Sequence, residues 1–168
     1  ILKDMILIAL GSSLSFAGQP PARLIIGALG ALGRVAAVTA SSRLYASPAW
    51  PVPSDPAFVN AVAAISTGLE PVALLETMQA IEAGFGRLRK SEANGPRTLD
   101  LDIIDYKGII RKPDVMSPLE LPHPRAHERD FVLAPLAEVA PGWTHPVSGK
   151  PVEVLLAECA IRGASALE

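Results

Sequence analysis

Apolar and polar positions along this chain repeat with two periods, and where the period changes they predict its elements. Met5–Leu10 is a continuous apolar run closed by Gly11-Ser12-Ser13, the pattern of a buried central strand followed by a tight turn. Pro20-Pro21 precedes Ala22–Leu32, an Ala/Leu/Ile-rich helix that proline can open because a first-turn N–H is not needed there. Gly27, Gly30 and Gly33 recur every three residues. They lie too far from the strand to cradle a dinucleotide, so they predict close helix packing and a C-cap. Val35–Leu44 carries the β-prone Val35, Val38 and Thr39 and predicts a second strand; Phe58–Ile65 predicts a third. Pro71–Phe85 is the clearest helix, with Val72, Leu75, Met78, Ile81 and Phe85 on one stripe and Glu76, Gln79 and Glu82 on the other face.

Further on, Leu99, Leu101 and Ile103 alternate with Asp100 and Asp102, and Asp100–Tyr106 reads as a half-buried strand. Lys107-Gly108 predicts a hairpin turn into Ile109-Ile110. Arg129–Val139 and Val152–Ala160 read as short helices. Strand, helix, strand, strand, helix, strand is the split βαβ order. The expectation is an α+β, ferredoxin-like antiparallel sheet with helices packed on one face and the other face left for ligands. It is read as one domain over residues 5–166, with Met5 a candidate initiator and Leu167-Glu168 a remnant of cloning.

Composition narrows this picture more than it redirects it. Hydrophobic residues make up 49% and charged residues 19% of 168, which fits a folded domain with a sizeable core. A net charge of −2 gives no global attraction to nucleic acid or to a membrane surface. No run approaches a membrane span and no leader is recognisable, so a cytoplasmic location and no membrane partner are expected. The single cysteine, Cys159, excludes an internal disulfide and reads as core. The 16 prolines cluster at Ser47–Pro56 and Pro113–Pro124, which predicts long functional loops. Nine of the 15 basic residues fall between Arg87 and Arg129, interleaved with acids, a mixture suited to a metal and a polyanion together.

The chemistry concentrates in Gly95-Pro96-Arg97-Thr98-Leu99-Asp100-Leu101-Asp102. Side chains two apart on a strand share a face, so both carboxylates stand side by side with the apolar residues behind them. Paired acids repel unless a cation lies between them, and their oxygens suit Mg²⁺, which keeps several waters and completes its shell with phosphate. On its own an Asp-x-Asp strand is more often a wet sheet face. The neighbours argue otherwise. Arg97 supplies a planar fork for phosphate, and Arg87 and Arg89 flank the pair from an adjacent loop, so charge can be neutralised on both sides of a transferring phosphoryl group. His123 is held between Pro122 and Pro124, with Arg125 and Arg129 beyond. Pro124 argues against a helical zinc pair with His127 and leaves a rigid donor for phosphate. Phe58 and Phe131 are two of four phenylalanines, and Asn60 shares Phe58's face, where an amide beside an aromatic plane can read the edge of a stacked heterocycle.

These residues resemble the 6-hydroxymethyl-7,8-dihydropterin pyrophosphokinase family of folate biosynthesis. The resemblance is carried by Gly95-Pro96-Arg97-Thr98-Leu99-Asp100-Leu101-Asp102-Ile103, Gly11-Ser12-Ser13, Phe58-Val59-Asn60-Ala61, Gln79-Ala80-Ile81-Glu82 with Gly86-Arg87-x-Arg89, Leu121-Pro122-His123-Pro124-Arg125 and Arg129-x-Phe131-Val132-Leu133-x-Pro135-Leu136. It implies transfer of the terminal diphosphate of ATP to the pterin hydroxymethyl group, with release of AMP. It further implies two Mg²⁺ on Asp100 and Asp102, catalytic roles for Arg87 and Arg97, phosphate contacts from Arg89, His123 and Arg129, Gln79, Glu82 and Ile103 on the nucleotide side, and a pterin between Phe58 and Phe131 with Asn60 at its edge. A monomer is expected. Ser13 stands where the family has Asn, and Asn94 where it has Trp in a mobile loop. Two other readings use the same pattern: a nucleic-acid-binding ferredoxin-like module, which would need aromatics and basic residues where the central strand offers acids, and a metal-dependent phosphohydrolase on the same carboxylates.

Overall fold

The first apolar run does become the middle of a sheet. In the computed structural model, which describes residues 2–49, 52–88, 95–159 and 163–167, β1 (Ile6–Ser12) pairs antiparallel with β4 (Phe58–Ser66) on one side and with β5 (Asp100–Tyr106) on the other. β2 (Ala37–Ser41) and β3 (Tyr45–Ser47) pair in succession with the far edge of β4, and a two-residue β6 (Ser165–Ala166) pairs with β3. The spatial order β5-β1-β4-β3-β6, with β2 beside β4, is the ferredoxin-like arrangement.

A run apolar at every position can be buried on both sides, and β1 is. Ile6, Ile8 and Leu10 face α1 (Pro21–Val35) and α2 (Pro71–Gly84) in one core. Leu7, with Val62, Ala64 and Ile104, faces α3 (Asp130–Val139) and α4 (Val152–Glu158) in a second core centred on Trp143. The helices are therefore not confined to one face: α1 and α2 cover the expected face, and α3 and α4 cover one end of the other. The surface left for ligands is the remaining end of that second face. Asp105, buried beside Ile104, accepts the Trp143 indole N–H at 2.8 Å, which satisfies the polar edge of the large residue under α3.

Several boundaries moved. The stretch expected as one strand over 35–44 is helix through Val35, then β2, then a break before β3, whose last residue, Ser47, is the first of the region read as loop. Gly27 does allow close packing, since a Cβ there would stand 3.0 Å from the Phe85 ring of the next helix, but Gly30 and Gly33 face open space and Ala36 is the C-cap. The Lys107-Gly108 turn forms with both residues at positive φ, yet Ile109-Ile110 does not return as a strand. Both isoleucines are exposed, and the backbone pairs only later, at Arg111 and Leu121. In α2 the inward line is Leu74, Met78 and Glu82, so Glu82 lies inside rather than on the solvent face. Cys159, just past α4, packs against the second core. No helix among the described residues is long and apolar enough to cross a membrane.

Candidate active site

Small residues on the central strand make the cleft. Ala9 and Gly11 of β1 lie opposite Asp102 and Asp100 on one side and Val62 and Asn60 on the other. With almost no side chain on β1 there, a hollow runs between the β5 carboxylates and the β4 residues Phe58 and Asn60. Arg129 and Phe131, from the start of α3, close its end. The cleft measures about 70 Å³.

On the β5 side the carboxylates are held by guanidinium. Arg87 donates from Nη1 to Asp100 Oδ1 at 2.6 Å and to Glu82 Oε2 at 2.7 Å, and Arg97 Nη1 stands 3.3 Å from Asp100 Oδ2. Glu82 Oε2 also accepts the Leu101 N–H at 2.8 Å, so the same buried carboxylate fixes both the strand edge and the arginine. Burial, with the charge of Asp100 next to it, raises the Glu82 pKa against the pull of Leu101 N–H and Arg87. Burial works against the charge on Arg87, but Asp100 and Glu82 outweigh it and the guanidinium is held more firmly protonated than usual. The turn after β1 grips Arg97 by its backbone: Ser13 and Leu14 N–H donate to Arg97 O at 2.9 and 3.1 Å, and Arg97 N–H donates to Ser13 Oγ at 3.1 Å. Ser13, which departs from the family pattern, thus supplies a hydroxyl acceptor at this turn.

Asp102 is the residue out of balance. Burial in the cleft, then the Asp100 and Glu82 carboxylates, push it up to about 8 despite Arg129 and Arg87. Its side chain is 38% exposed, so a cation entering the cleft can reach it and relieve the repulsion. Two carboxyl groups on one strand face, one of them held protonated until a cation displaces the proton, are a donor set that fits a hard divalent ion. Among the described residues no group of three or more His, Cys, Asp and Glu comes together, so further ligands would be water and phosphate oxygens.

His123 is fixed by its backbone, whose N–H donates to Ile104 O at 2.9 Å, and by its ring, whose Nδ1 accepts the Arg125 N–H at 3.1 Å. That leaves the proton on Nε2, 3.8 Å from Asp102 Oδ2. Burial, then the positive charge of Arg129, lowers the His123 pKa to about 4, so near neutral pH it is an uncharged donor. Burial and Arg125 also lower the Arg129 pKa. The Arg129 guanidinium lies over the Phe131 ring at 5.7 Å from its centroid.

On the β4 side, Asn60 is buried and donates from Nδ2 to Ser47 Oγ at 2.8 Å. Ser47 and the adjacent Pro48 form the wall beside Phe58.

The structure therefore brings Arg97, Asp100, Asp102 and Arg129 around one cleft with Phe58, Asn60 and Phe131, and sets Arg87 and His123 beside it against Asp100 and Asp102. Gln79 is half-buried on α2, one turn before Glu82. Glu82, expected on the nucleotide side, is turned inward to Arg87 and Leu101. The Ile103 side chain is buried in the α1/α2 core, on the opposite face from the carboxylates, so it is the Ile103 backbone on the edge strand that could meet a nucleotide. Arg89 and Asn94 lie outside the described residues. Ser47 was missed because it reads as the first residue of a proline-rich loop. Only its pairing opposite Phe58 in β3 shows that it faces the cleft.

Residues 7–141 match the family model for 7,8-dihydro-6-hydroxymethylpterin-pyrophosphokinase. The chain is 42% identical over 132 residues to a 2-amino-4-hydroxy-6-hydroxymethyldihydropteridine pyrophosphokinase of Synechocystis, covering 77% of this chain and 65% of that one. It is 40% identical over 159 residues to the protein of the same name from Pseudomonas aeruginosa, covering 93% and 92%. It is 36% identical over 143 residues to the Dictyostelium discoideum folic acid synthesis protein FOL1, covering 85% of this chain and 20% of that protein. The chain thus spans less than two thirds of the Synechocystis and Dictyostelium proteins. Among solved structures, Plasmodium falciparum HPPK-DHPS superposes with a TM-score of 0.70 at 13% identity, covering 92% of this chain and 44% of that one, a likeness of fold.

Proposed function

Because the chain belongs to the 7,8-dihydro-6-hydroxymethylpterin-pyrophosphokinase family, we propose that it transfers the terminal diphosphate of ATP to the hydroxymethyl group of 6-hydroxymethyl-7,8-dihydropterin. The pterin oxygen attacks the β-phosphorus, the bond from that phosphorus to the α-phosphate oxygen breaks, the hydroxyl proton is lost, and AMP leaves. The observation that carries this reading is the side-by-side Asp100 and Asp102, flanked by Arg87, Arg97 and His123, at one end of a cleft whose other end is Phe58, Asn60 and Phe131.

Asp100 and Asp102 would hold two Mg²⁺, which would neutralise the triphosphate and polarise the attacked phosphorus. Arg87 and Arg97, which hold Asp100 in this structure, would donate to phosphate oxygens where charge develops. His123 donates a neutral N–H from Nε2, and Arg129 adds a fixed positive charge. Arg89 belongs to the same phosphate-binding set by its position in the family motif. Glu82 is assigned as the residue that positions Arg87, and Gln79 with the Ile103 backbone faces the nucleotide. Phe58 and Phe131 stack the pterin, and Asn60, held by Ser47, reads its edge. A cleft of about 70 Å³ is smaller than the several hundred Å³ of ordinary ligand sites, so it must widen to admit both substrates. The protein acts as a cytoplasmic monomer in this reading.

The test is AMP formation from ATP with and without the hydroxymethyl-dihydropterin, each with and without Mg²⁺. AMP that requires both supports the assignment. Phosphate release that ignores the pterin would replace it with hydrolysis.

A further inference from the structure

The residues matched by the family model stop at 141, yet a later segment reaches back to the cleft. Gly163 and Ala164 N–H both donate to Asp130 Oδ2, at 2.7 and 3.0 Å. Asp130 is buried and stands between Arg129 and Phe131, which both line the site. Gly163 also lies against Pro48: a Cβ there would be 2.9 Å from Pro48 Cδ and 3.1 Å from its Cγ, so only glycine allows this approach. Ser165 and Ala166 then pair with Ala46 and Tyr45, and Leu167 N–H donates to Leu44 O at 2.8 Å. From the other side Tyr45 is tied to α3, its hydroxyl donating to Glu138 Oε2 at 2.6 Å.

One short segment therefore touches both walls of the aromatic end of the cleft. Through Asp130 it meets the turn that carries Phe131. Through Pro48 and β3 it meets Ser47, whose hydroxyl accepts from Asn60. Among the described residues its hydrogen bonds and strand pairing go to Asp130, Leu44, Tyr45 and Ala46, all toward this end.

We infer that residues 163–167 form a strap that sets the width of the pterin end of the cleft, and that Asp130 is the positioning residue that transmits it to Phe131. This rests on the pterin reading of that end. A strap of this kind acts on binding of the heterocycle and leaves the triphosphate contacts alone, so its loss separates two Michaelis constants that a general loss of structure would move together.

The test compares wild type, Asp130→Ala, Asp130→Asn and Gly163→Ala in the full chain, at a temperature well below each melting temperature. KM is measured separately for 6-hydroxymethyl-7,8-dihydropterin and for ATP, and pterin affinity is read directly from the ligand's own fluorescence. Asp130→Ala should weaken the pterin about tenfold by both measures and change KM for ATP less than twofold. Asp130→Asn keeps an oxygen acceptor and should restore the pterin values to within about twofold of wild type. Gly163→Ala, which pushes on Pro48 and keeps Asp130, should weaken the pterin severalfold. Unchanged pterin affinity in both Asp130→Ala and Gly163→Ala overturns the strap, as does an equal rise in both KM values. Wild type that binds no pterin overturns the functional reading itself, and the strap with it.

Discussion

The two ends of the cleft are built in opposite ways. At the charged end, Arg97, Asp100 and Asp102 lie within six residues, and their spacing alone decides that the carboxylates share a face. Arg87 arrives from the end of α2 and is locked by Glu82. At the aromatic end, Phe58 and Asn60 come from β4, Ser47 and Pro48 from β3 and the residue after it, Phe131 from α3, and Gly163 braces them from far along the chain. A charged site can be local because Coulomb forces act over several ångströms and tolerate approximate placement. A flat heterocycle needs walls on both sides, and two walls facing one another need residues distant in sequence.

That contrast predicts that substitutions at the charged end act on turnover and those at the aromatic end on pterin affinity. Asp102→Asn should have the largest effect, with turnover falling at least a thousandfold while pterin binding shifts only severalfold; kinetics equal to wild type would dissolve the charged end as an assignment. Arg97→Ala should lower kcat by roughly ten- to a thousandfold, the loss typical of one preorganised electrostatic contact, measured at saturating ATP and pterin. Glu82→Ala is expected to affect both rate and fold. It strands the buried Leu101 N–H, a cost of about 1–3 kcal/mol in denaturant unfolding, and frees Arg87, so kcat should fall while KM for pterin holds. At the other end, Ser47→Ala should raise KM for pterin about two- to tenfold through the lost grip on Asn60, with kcat little changed; a fall in kcat alone would erase the division between the ends.

The last effect is on stability. Folding raises the Asp102 pKa from 3.8 to about 8, so the folded chain keeps a proton that the unfolded chain loses. The contribution is fully present below pH 3.8 and drains away as pH rises through 8. Without divalent ions, Asp102→Asn should therefore gain stability over wild type as pH is raised across that window, followed by Tm against pH. A difference that is flat across the window would remove the like-charge repulsion from the description of this end.

Most residues of the charged end of the candidate site are legible in the sequence, and those of the aromatic end in part. Phe58 and Asn60 were legible because strand alternation places them on one face. Ser47 is hidden because a three-residue strand running into a proline-rich stretch leaves no periodicity to detect. Glu82 was assigned outward because a carboxylate on a helix is ordinarily solvated. It lies inward because α2 ends against the edge of β5, where Leu101 N–H has no strand beyond it and Arg87 needs a counter-charge. Ile103 was grouped with its motif, yet one residue of displacement along a strand moves a side chain to the other face of the sheet.

What the sequence by itself determined is everything governed by short-range pattern: the central strand, the main helices, the sheet order and the paired acids with their arginines. Tertiary structure decided which half of the second face stays open. It also decided which polar groups turn inward, and how a segment near residue 163 comes to stand against Pro48 and Asp130. Those depend on where α3, α4 and β6 come to rest. Packing between distant segments is set by shape and buried polar partners rather than by any local period.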